Sequence, residues 1–388
     1  MAATMTEFQP HTEAELAELI REAGARGGGF AIRGGGTRAG PAAEGAARLS
    51  TAGLSGISLY EPGALTLVVR AGTPLAEVEA ALAAEGQVLP FEPWDARALT
   101  GRTGMPTIGG VVATNASGPR RIQAGACRDS MIGIRFVDGT GAVVKNGGRV
   151  MKNVTGLDLV KLLAGSHGTL GVITEVAFKL LPGPAVTASV VLDGLPAEEA
   201  VGAMTAALGT PFQVSAAAHL PAGAGEASAT RLRLEGLAGS VAYRTSELAR
   251  ALRRFGAARV VEGPGDWPAI RDAARLGGRE GAVWRISVKP TDGARVAARL
   301  GPAEVMLDWG GGLIWALAPE DFDLRAALAG VPGHATLVRA GAEARARWGV
   351  FHPESPPVAA IAAGLRARFD PKGVLNPGLM APREPVPA

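Results

Sequence analysis

The sequence contains almost no cysteine, because Cys127 is the single one among 388 residues. One thiol cannot form a disulfide within the chain, and it cannot supply the ligands of a zinc ribbon or a cysteine-bound iron–sulfur cluster. Long apolar runs are also missing, since none approaches the roughly 18 residues that a membrane-spanning helix needs. The sequence therefore predicts neither a cysteine-based cofactor in this chain nor a transmembrane helix.

An excess of charge of one sign is absent as well. The formal net charge is only +3, whereas surfaces that bind nucleic acids concentrate much more positive charge. We therefore expect no nucleic-acid partner. The N-terminal residues lack the basic and then apolar stretch of a secretory signal, so the expected location is the cytoplasm.

Glycine, in contrast, is abundant, with 55 residues, roughly twice the ordinary share of about 7%. Apolar residues make up 47% of the chain, which is enough for packed cores, and the length suggests two or three domains. Three glycine-rich segments follow one another in the N-terminal half, each at the end of a predicted strand, over 33–40, 107–121 and 165–174.

The first segment, RGGGTRAG over 33–40, follows a predicted strand at 30–33. A glycine turn at a strand end can direct several backbone N–H groups at one anion, and flanking arginines match phosphate oxygens. A Walker loop is excluded, because no glycine precedes Lys-Ser or Lys-Thr. A Rossmann fingerprint fits only formally, and an ordinary turn remains the alternative to a phosphate site. The candidate residues are Arg33, Gly34, Gly35, Gly36, Thr37 and Arg38.

Small residues dominate the second segment, TIGGVVATNASGPRR, where backbone can lie flat against a large planar group. Thr114, Asn115 and Ser117 add side chains that can hydrogen-bond a ligand. The third segment, GSHGTLGVIT, is again a tight turn that leads into a strand. One glycine loop is weak evidence, but three at strand ends indicate an elongated dinucleotide held by backbone groups.

These segments occur in an order that resembles the vanillyl-alcohol oxidase, or PCMH-type, flavoproteins. Within that superfamily the motifs are most similar to the family of FAD-binding E subunits of bacterial glycolate oxidase. The motifs that carry the resemblance are GPRR at 118–121, GGRVMKNVTGLDL at 147–159, WRISVKP at 284–290, DWGG at 308–311 and FDPKGVLNPG at 369–378.

The resemblance implies an α+β fold in three parts. A PCMH-type, two-part FAD-binding domain would span 1–184, an α+β cap domain 185–345, and a C-terminal helix and tail over 346–388 would return to the flavin. The first segment would hold the FAD pyrophosphate, the second would follow the ribityl chain and flavin, and the third would lie near the adenine. Beyond the first segment, the implied cofactor-binding residues are Pro90, Thr107, Gly109, Gly110, Thr114, Asn115, Ser117, Gly118, Gly171, Val172, Ile173 and Asn376.

The tail carries a more specific prediction. Pro377 favours extended geometry for Asn376, and on such a strut its amide can reach a flavin carbonyl or ring nitrogen. No histidine lies in the first segment, so the FAD is expected to be bound non-covalently.

The implied function is that of an FAD-binding subunit of a complex that oxidises glycolate, a small 2-hydroxy acid, to glyoxylate. The chain has too few cysteines for a cluster, so electrons would pass to an iron–sulfur partner subunit. No metal-binding HxGDGNxH motif is present, which implies that a second, catalytic FAD-binding subunit supplies such histidines. Such a complex adds the periphery of the inner membrane to the expected locations.

Two other functions stay open at this point. The chain is either a self-sufficient FAD-dependent 2-hydroxy-acid dehydrogenase or a flavin-binding assembly subunit without chemistry of its own. No catalytic residue and no metal ligand is predicted. His167, in the third segment, is interpreted equally well as a contact of flavin or substrate and as a loop residue that packs locally.

Overall fold

The computed structural model describes residues 7–38, 46–148, 156–223 and 226–380. Part of the motif at 147–159, the end of the first glycine-rich segment and the last eight residues of the tail lie outside the described residues. We call the part up to residue 184 the N-terminal unit and residues 185–345 the central unit.

The strands are β1 (Glu7–Phe8), β2 (Phe30–Arg33), β3 (Ala47–Ser50), β4 (Ile57–Glu61), β5 (Thr66–Arg70), β6 (Gln87–Val88), β7 (Met131–Val137), β8 (Val143–Gly147), β9 (Val172–Lys179), β10 (Leu181–Pro182), β11 (Val186–Asp193), β12 (Ala216–Leu220), β13 (Ala229–Gly236), β14 (Ala258–Glu262), β15 (Ala282–Val288), β16 (Glu304–Asp308), β17 (Leu313–Ala318) and β18 (Gly333–Arg339). The α-helices are α1 (Glu13–Arg26), α2 (Leu75–Ala84), α3 (Arg97–Thr100), α4 (Ile108–Ala113), α5 (Arg121–Ala124), α6 (Cys127–Ser130), α7 (Leu159–Leu163), α8 (Ala197–Leu208), α9 (Ala238–Ala251), α10 (Trp267–Arg271), α11 (Gly293–Arg299), α12 (Ala342–Trp348) and α13 (Pro356–Phe369).

Two main sheets build the N-terminal unit. A parallel sheet has the strand order β1-β3-β2, and α1 connects its two outer strands. Thr12 caps α1 by accepting a hydrogen bond from the N–H of Glu15, and Gly27, with φ of 69°, ends the helix. The second sheet is antiparallel, in the order β4-β5-β9-β7-β8. Glycine-rich segments adjoin one strand of each sheet, since the first follows β2 and the third leads into β9.

An antiparallel sheet in the order β14-β11-β13-β12-β16-β17-β15-β18 forms the central unit. One face buries residues of α8, α9 and α11. The other face, with Trp315 and Val283, shares a continuous apolar core with residues of the N-terminal unit such as Phe91 and Ile108. The motif at 308–311 lies in a hairpin, since β16 and β17 pair antiparallel.

A buried cluster of four charges also joins the two units. Glu92, in the N-terminal unit, accepts two hydrogen bonds from Arg233 of β13, from Nη1 at 2.9 Å and from Nη2 at 2.8 Å. Arg120 donates to Glu235 of β13 at 2.6 Å, and its backbone N–H donates to Glu92 at 2.9 Å. Nearby, the indole N–H of Trp309 donates to the carbonyl of Gly118 at 3.0 Å. These bonds hold the two units against each other.

Two details differ from the sequence predictions. The segment after Thr107 is not a loop, because α4 begins there and Thr107 caps it by accepting from the N–H of Gly110. The C-terminal helix expected within 346–388 is present as α13, but its apolar side chains are largely solvent-exposed, with Ile361 66% exposed. Only its last turns pack on the core, through Leu365 and Phe369. None of the described helices has the length and apolar character needed to cross a membrane.

Candidate functional site

A cleft of about 830 Å³ opens where the predicted glycine-rich segments meet. Its walls come from the end of β2 with the turn after it, from α4, from the turn before β9 and from the tail. The parallel sheet and the antiparallel sheet each deliver strand ends to this point. Segments that are far apart in the sequence thus form one elongated site.

Close backbone packing explains the first two glycines of the turn after β2. A Cβ atom on Gly35 would lie 1.4 Å from the carbonyl oxygen of Met105, and one on Gly34 would lie 2.1 Å from Oγ1 of Thr107. Gly36 has φ of 73° and no atom within 4 Å of its Cβ position. The turn is therefore pressed against residues 104–107 on one side and open at Gly36.

Most of the predicted cofactor-binding residues line this cleft. They are Arg33, Gly34, Gly35, Gly36, Thr37, Arg38, Thr107, Gly109, Gly110, Thr114, Gly171, Ile173 and Asn376. Asn115 lines an adjoining cavity.

The remaining predicted residues, Pro90, Ser117, Gly118 and Val172, are buried among protein atoms outside both linings. Ser117 Oγ, for example, accepts from the N–H of Cys127 at 2.9 Å, and Val172 is part of the core. These four are small or apolar residues, like many of the residues that line the cleft. Sequence patterns alone therefore did not separate the buried residues from the lining ones.

Asn376 does not adopt the extended geometry that its position before Pro377 predicts. Its φ is 42°, in the left-handed region that asparagine tolerates. Its Oδ1 accepts from the N–H of Ile32 at 2.7 Å, and its Nδ2 donates to the carbonyl of His167 at 2.8 Å. The amide thus clamps β2 to the turn before β9, and this demand on its side chain overrides the local preference.

The adjoining cavity, of about 840 Å³, lies between the N-terminal unit, β15, β18 and the segment after α12. Four arginines line it: Arg38, Arg102, Arg285 and Arg345. None of its described lining residues is an aspartate or a glutamate. Three of these arginines, Arg102, Arg285 and Arg345, were not predicted as site residues, because they come from segments outside the three glycine-rich ones. An arginine within the apolar strand at 284–288 was the one signal in the sequence that could have indicated Arg285.

Arg38 and His167 line both cavities and mark their junction. The guanidinium of Arg38 lies 4.6 Å from the ring centroid of Trp94 and donates to its carbonyl. Burial lowers the pKa of Arg38 to about 10, so the group stays charged at neutral pH. Burial also lowers the pKa of His167 to about 4, so its imidazole is neutral there. The ring of His167 packs on Phe351 at 4.7 Å.

The residues at this junction fit a large anionic cofactor such as FAD. At the junction, Nε and Nη1 of Arg38 are buried without a hydrogen-bond partner among the described residues. The same holds for Oγ of Ser166, which precedes His167 in the chain but lines neither cavity. Such groups are rarely left unpaired in a folded protein. Together with the open side of the turn at Gly36, the unpaired N–H groups of Arg38 can serve as donors to the phosphate oxygens of such a cofactor.

Comparisons with known proteins agree with this arrangement. A family model described as an FAD binding domain matches residues 6–147. Over 329 residues the chain is 35% identical to glycolate oxidase subunit GlcE of Escherichia coli (strain K12), covering 84% of each chain. It is 35% identical over 120 residues to glycolate oxidase subunit GlcD of Bacillus subtilis (strain 168), covering 31% of this chain and 24% of that protein.

A solved structure of alkyldihydroxyacetonephosphate synthase superposes with a TM-score of 0.65 at 17% identity, covering 96% of this chain and 76% of that one. This likeness confirms the predicted α+β, PCMH-type fold. The predicted FAD cofactor is confirmed by the family model. The chain therefore belongs to the GlcE family of glycolate oxidase subunits, among the FAD-dependent oxidoreductases of PCMH-type fold.

Proposed function

We propose that this chain is the FAD-binding subunit of a complex that oxidises glycolate to glyoxylate and passes electrons to an iron–sulfur partner subunit. The observation that carries the proposal is the convergence of three glycine-rich segments on one cleft, in a chain 35% identical to the E. coli subunit over 84% of its length. The partners are a second, catalytic FAD-binding subunit and an iron–sulfur subunit.

In this proposal the FAD occupies the cleft and is held by particular residues of its lining. The turn at Gly34–Thr37, together with Arg33 and Arg38, would hold the pyrophosphate, and α4 and the turn before β9 would flank the rest of the cofactor. The binding is non-covalent in this proposal. When bound, FAD supplies the acceptor for the two electrons removed from the hydroxy acid. The chain would thus use residues 1–184 as its FAD-binding domain, 185–345 as a cap and 346–388 as a closing segment.

A second candidate is a self-sufficient FAD-dependent dehydrogenase of 2-hydroxy acids. The arginine-lined cavity favours it, because that cavity adjoins the cleft and gives this chain a place for an anionic substrate. The chain is also 43% identical over 86 residues to a D-lactate dehydrogenase of Anaerostipes hadrus, a match that covers 22% of this chain and 18% of that protein.

Purification of the chain alone and with its partner subunits tests the proposal. The chain alone should carry FAD that acid precipitation releases into the supernatant, yet reduce a dye only slowly with glycolate. Co-purification with the two partners should restore glycolate-dependent dye reduction. Full turnover by the chain alone would support the second candidate, and a chain that never carries FAD would refute both.

A further inference from the structure

Arg38 is assigned to the FAD pyrophosphate, but the other three arginines of the second cavity give it a positive charge that the FAD site does not account for. Four arginines face it, and the side-chain hydrogen bonds of three of them go to backbone carbonyls: Arg38 to Trp94, Arg102 to Gly36 and Arg345 to Ala340. No carboxylate among the described residues lines the cavity to balance them. An isoalloxazine ring is neutral, so a flavin here would not balance this charge either.

Arg285, the fourth, is the least compensated. It makes no hydrogen bond and no ion pair with any described residue, and its Nε is buried. Its guanidinium lies 4.9 Å from the ring centroid of Trp309 and 6.0 Å from that of Trp315. A buried N–H that lacks an acceptor, as at this Nε, is unfavourable because burial costs it its hydration. The two indole rings fix the position of the guanidinium through cation–π contacts, but they do not accept hydrogen bonds from its N–H groups.

The acidic residue that acts on Arg285 through its charge does not supply the missing partner. Asp308 makes no ion pair with Arg285, and its Oδ1 accepts from the N–H of Trp309 at 2.7 Å. Burial raises the pKa of Asp308 to about 7, which weakens it further as a counter-ion at neutral pH. An acceptor for Arg285 must therefore come from outside the described residues.

We propose that Arg285 anchors the carboxylate of a small organic acid in this cavity, so that the acid binds on this chain beside the FAD cleft. A guanidinium offers parallel N–H groups that match the two oxygens of a carboxylate. Leu337, Val338 and Phe351 line the cavity as well, and they suit the carbon skeleton of such an acid. In this proposal the pyrophosphate of FAD is not the anion at Arg285, because Arg285 lines only the second of the two cavities, whereas Gly34, Gly35 and Gly36 line only the first.

The proposal rests on the proposed function, but its test separates the two. The probe is oxalate, an unreactive diacid of glycolate size, titrated into the FAD-loaded full-length chain. Flavin absorbance and tryptophan fluorescence report binding, since Trp309 and Trp315 contact Arg285. FAD content, measured separately, reports the cleft. Inorganic phosphate at equal ionic strength distinguishes a carboxylate site from a general anion site.

Arg285→Met should weaken oxalate binding about 10- to 100-fold, the loss expected for hydrogen bonds to a charged group, with FAD content unchanged. Arg285→Gln serves as the second variant where Met does not fold. Arg121→Met is the matched control, because Arg121 also lies on Trp309, at 4.4 Å, yet lines neither cavity. Its charge acts on Arg285 only through space, so this variant should lose much less oxalate affinity than the Arg285 variants.

Three results would overturn the assignment while leaving the FAD site intact: no oxalate binding to the FAD-loaded wild type, equal affinity in the Arg285 variants, or phosphate binding as tight as oxalate. Loss of FAD from the Arg285 variants would overturn it too, because Arg285 would then face the cofactor. If the wild-type chain carries no FAD, the proposed function fails, and tryptophan fluorescence of the flavin-free chain still decides whether oxalate binds at Arg285.

Discussion

Glu92→Gln should destabilise the whole protein, because Glu92 compensates buried charge between the two units. Its side chain is 19% exposed, and that of Arg233, its bidentate partner, is 5% exposed. The four charges of the cluster cancel, so removing one carboxylate leaves an uncompensated guanidinium. A glutamine would also turn amide N–H groups towards arginine N–H groups. Breaking a buried pair in this way costs about 3–5 kcal/mol.

This free energy corresponds to a measurable shift of the melting temperature. With an unfolding entropy of about 2.1 cal/mol/K per residue, a chain of 388 residues loses about 4–6 °C for 3–5 kcal/mol when it unfolds as one unit. Differential scanning calorimetry at pH 7 provides the measurement. Glu22→Gln is the control, because its pair with Arg26 is exposed, 47% and 79%, and such a pair contributes only about 0.3–0.5 kcal/mol.

The pH dependence gives the same prediction an independent check. Burial raises the pKa of Glu92, but the charges and hydrogen bonds of Arg233 and Arg120 outweigh it and hold the pKa below the ordinary 4.5. A carboxylate with a lowered pKa stabilises the fold above its ordinary value and loses that contribution as the pH falls through the folded-state pKa. The difference between wild type and Glu92→Gln should therefore shrink below pH 4.5. The reasoning would be refuted if Glu92→Gln melted within 1 °C of wild type, or if its melting temperature fell no further than that of Glu22→Gln.

Three further predictions concern the cleft. Gly35→Ala should abolish FAD binding, since its Cβ would lie 1.4 Å from a carbonyl oxygen, whereas Gly63→Ala, with no atom within 4 Å, should keep it; flavin absorbance of the purified variants decides. Asn376→Ala leaves two backbone groups without partners, so it should lower the free energy of unfolding by about 1–3 kcal/mol and weaken FAD binding. Asn376→Asp keeps one acceptor oxygen and should retain part of the stability and part of the FAD affinity. Thermal melts and titration with FAD measure the two effects. Burial lowers the pKa of His167 from 6.5 to about 4, so its contribution to stability is lost as the pH falls from 6.5 towards 4. Denaturant unfolding at several pH values should therefore show that His167→Gln loses less free energy of unfolding over this pH range than wild type. An equal loss in both proteins would contradict the burial of the His167 ring.

The local parts of the fold could be predicted from the sequence because their causes are local. Thr12 and Gly27 mark the ends of α1 by capping chemistry that acts over a few residues. Two apolar runs that flank the glycine triplet at 310–312 are enough to specify a hairpin. The turn at Gly34–Gly36 was predicted as a backbone site, and it does line the cleft. In each case the residues that determine the structure lie next to each other in the chain.

The rest of the site depends on contacts between distant segments, which no local pattern encodes. Gly118 carries the pattern of a cofactor loop, yet its carbonyl accepts from Trp309, 191 residues away. Arg285 looks like one arginine among many in the sequence, and only the packing of β15 against Trp309 and Trp315 leaves it without a partner. Conversely, the local preference before Pro377 is real but weak, and two tertiary hydrogen bonds override it at Asn376.

The tail shows how the cleft depends on the whole chain and not on the N-terminal unit alone. Asp370 accepts from the N–H groups of Val374 and Leu375, which fixes the turn after α13. Phe30 then donates to the carbonyl of Val374 at 2.7 Å, and Asn376 donates its N–H back to Phe30 at 2.9 Å. The tail thereby continues the parallel sheet at the strand that leads into the glycine turn. Because the turn is pressed against 104–107 on one side and β2 is fixed by the tail on the other, its backbone N–H groups are oriented before any anion arrives, and little ordering is left to oppose binding.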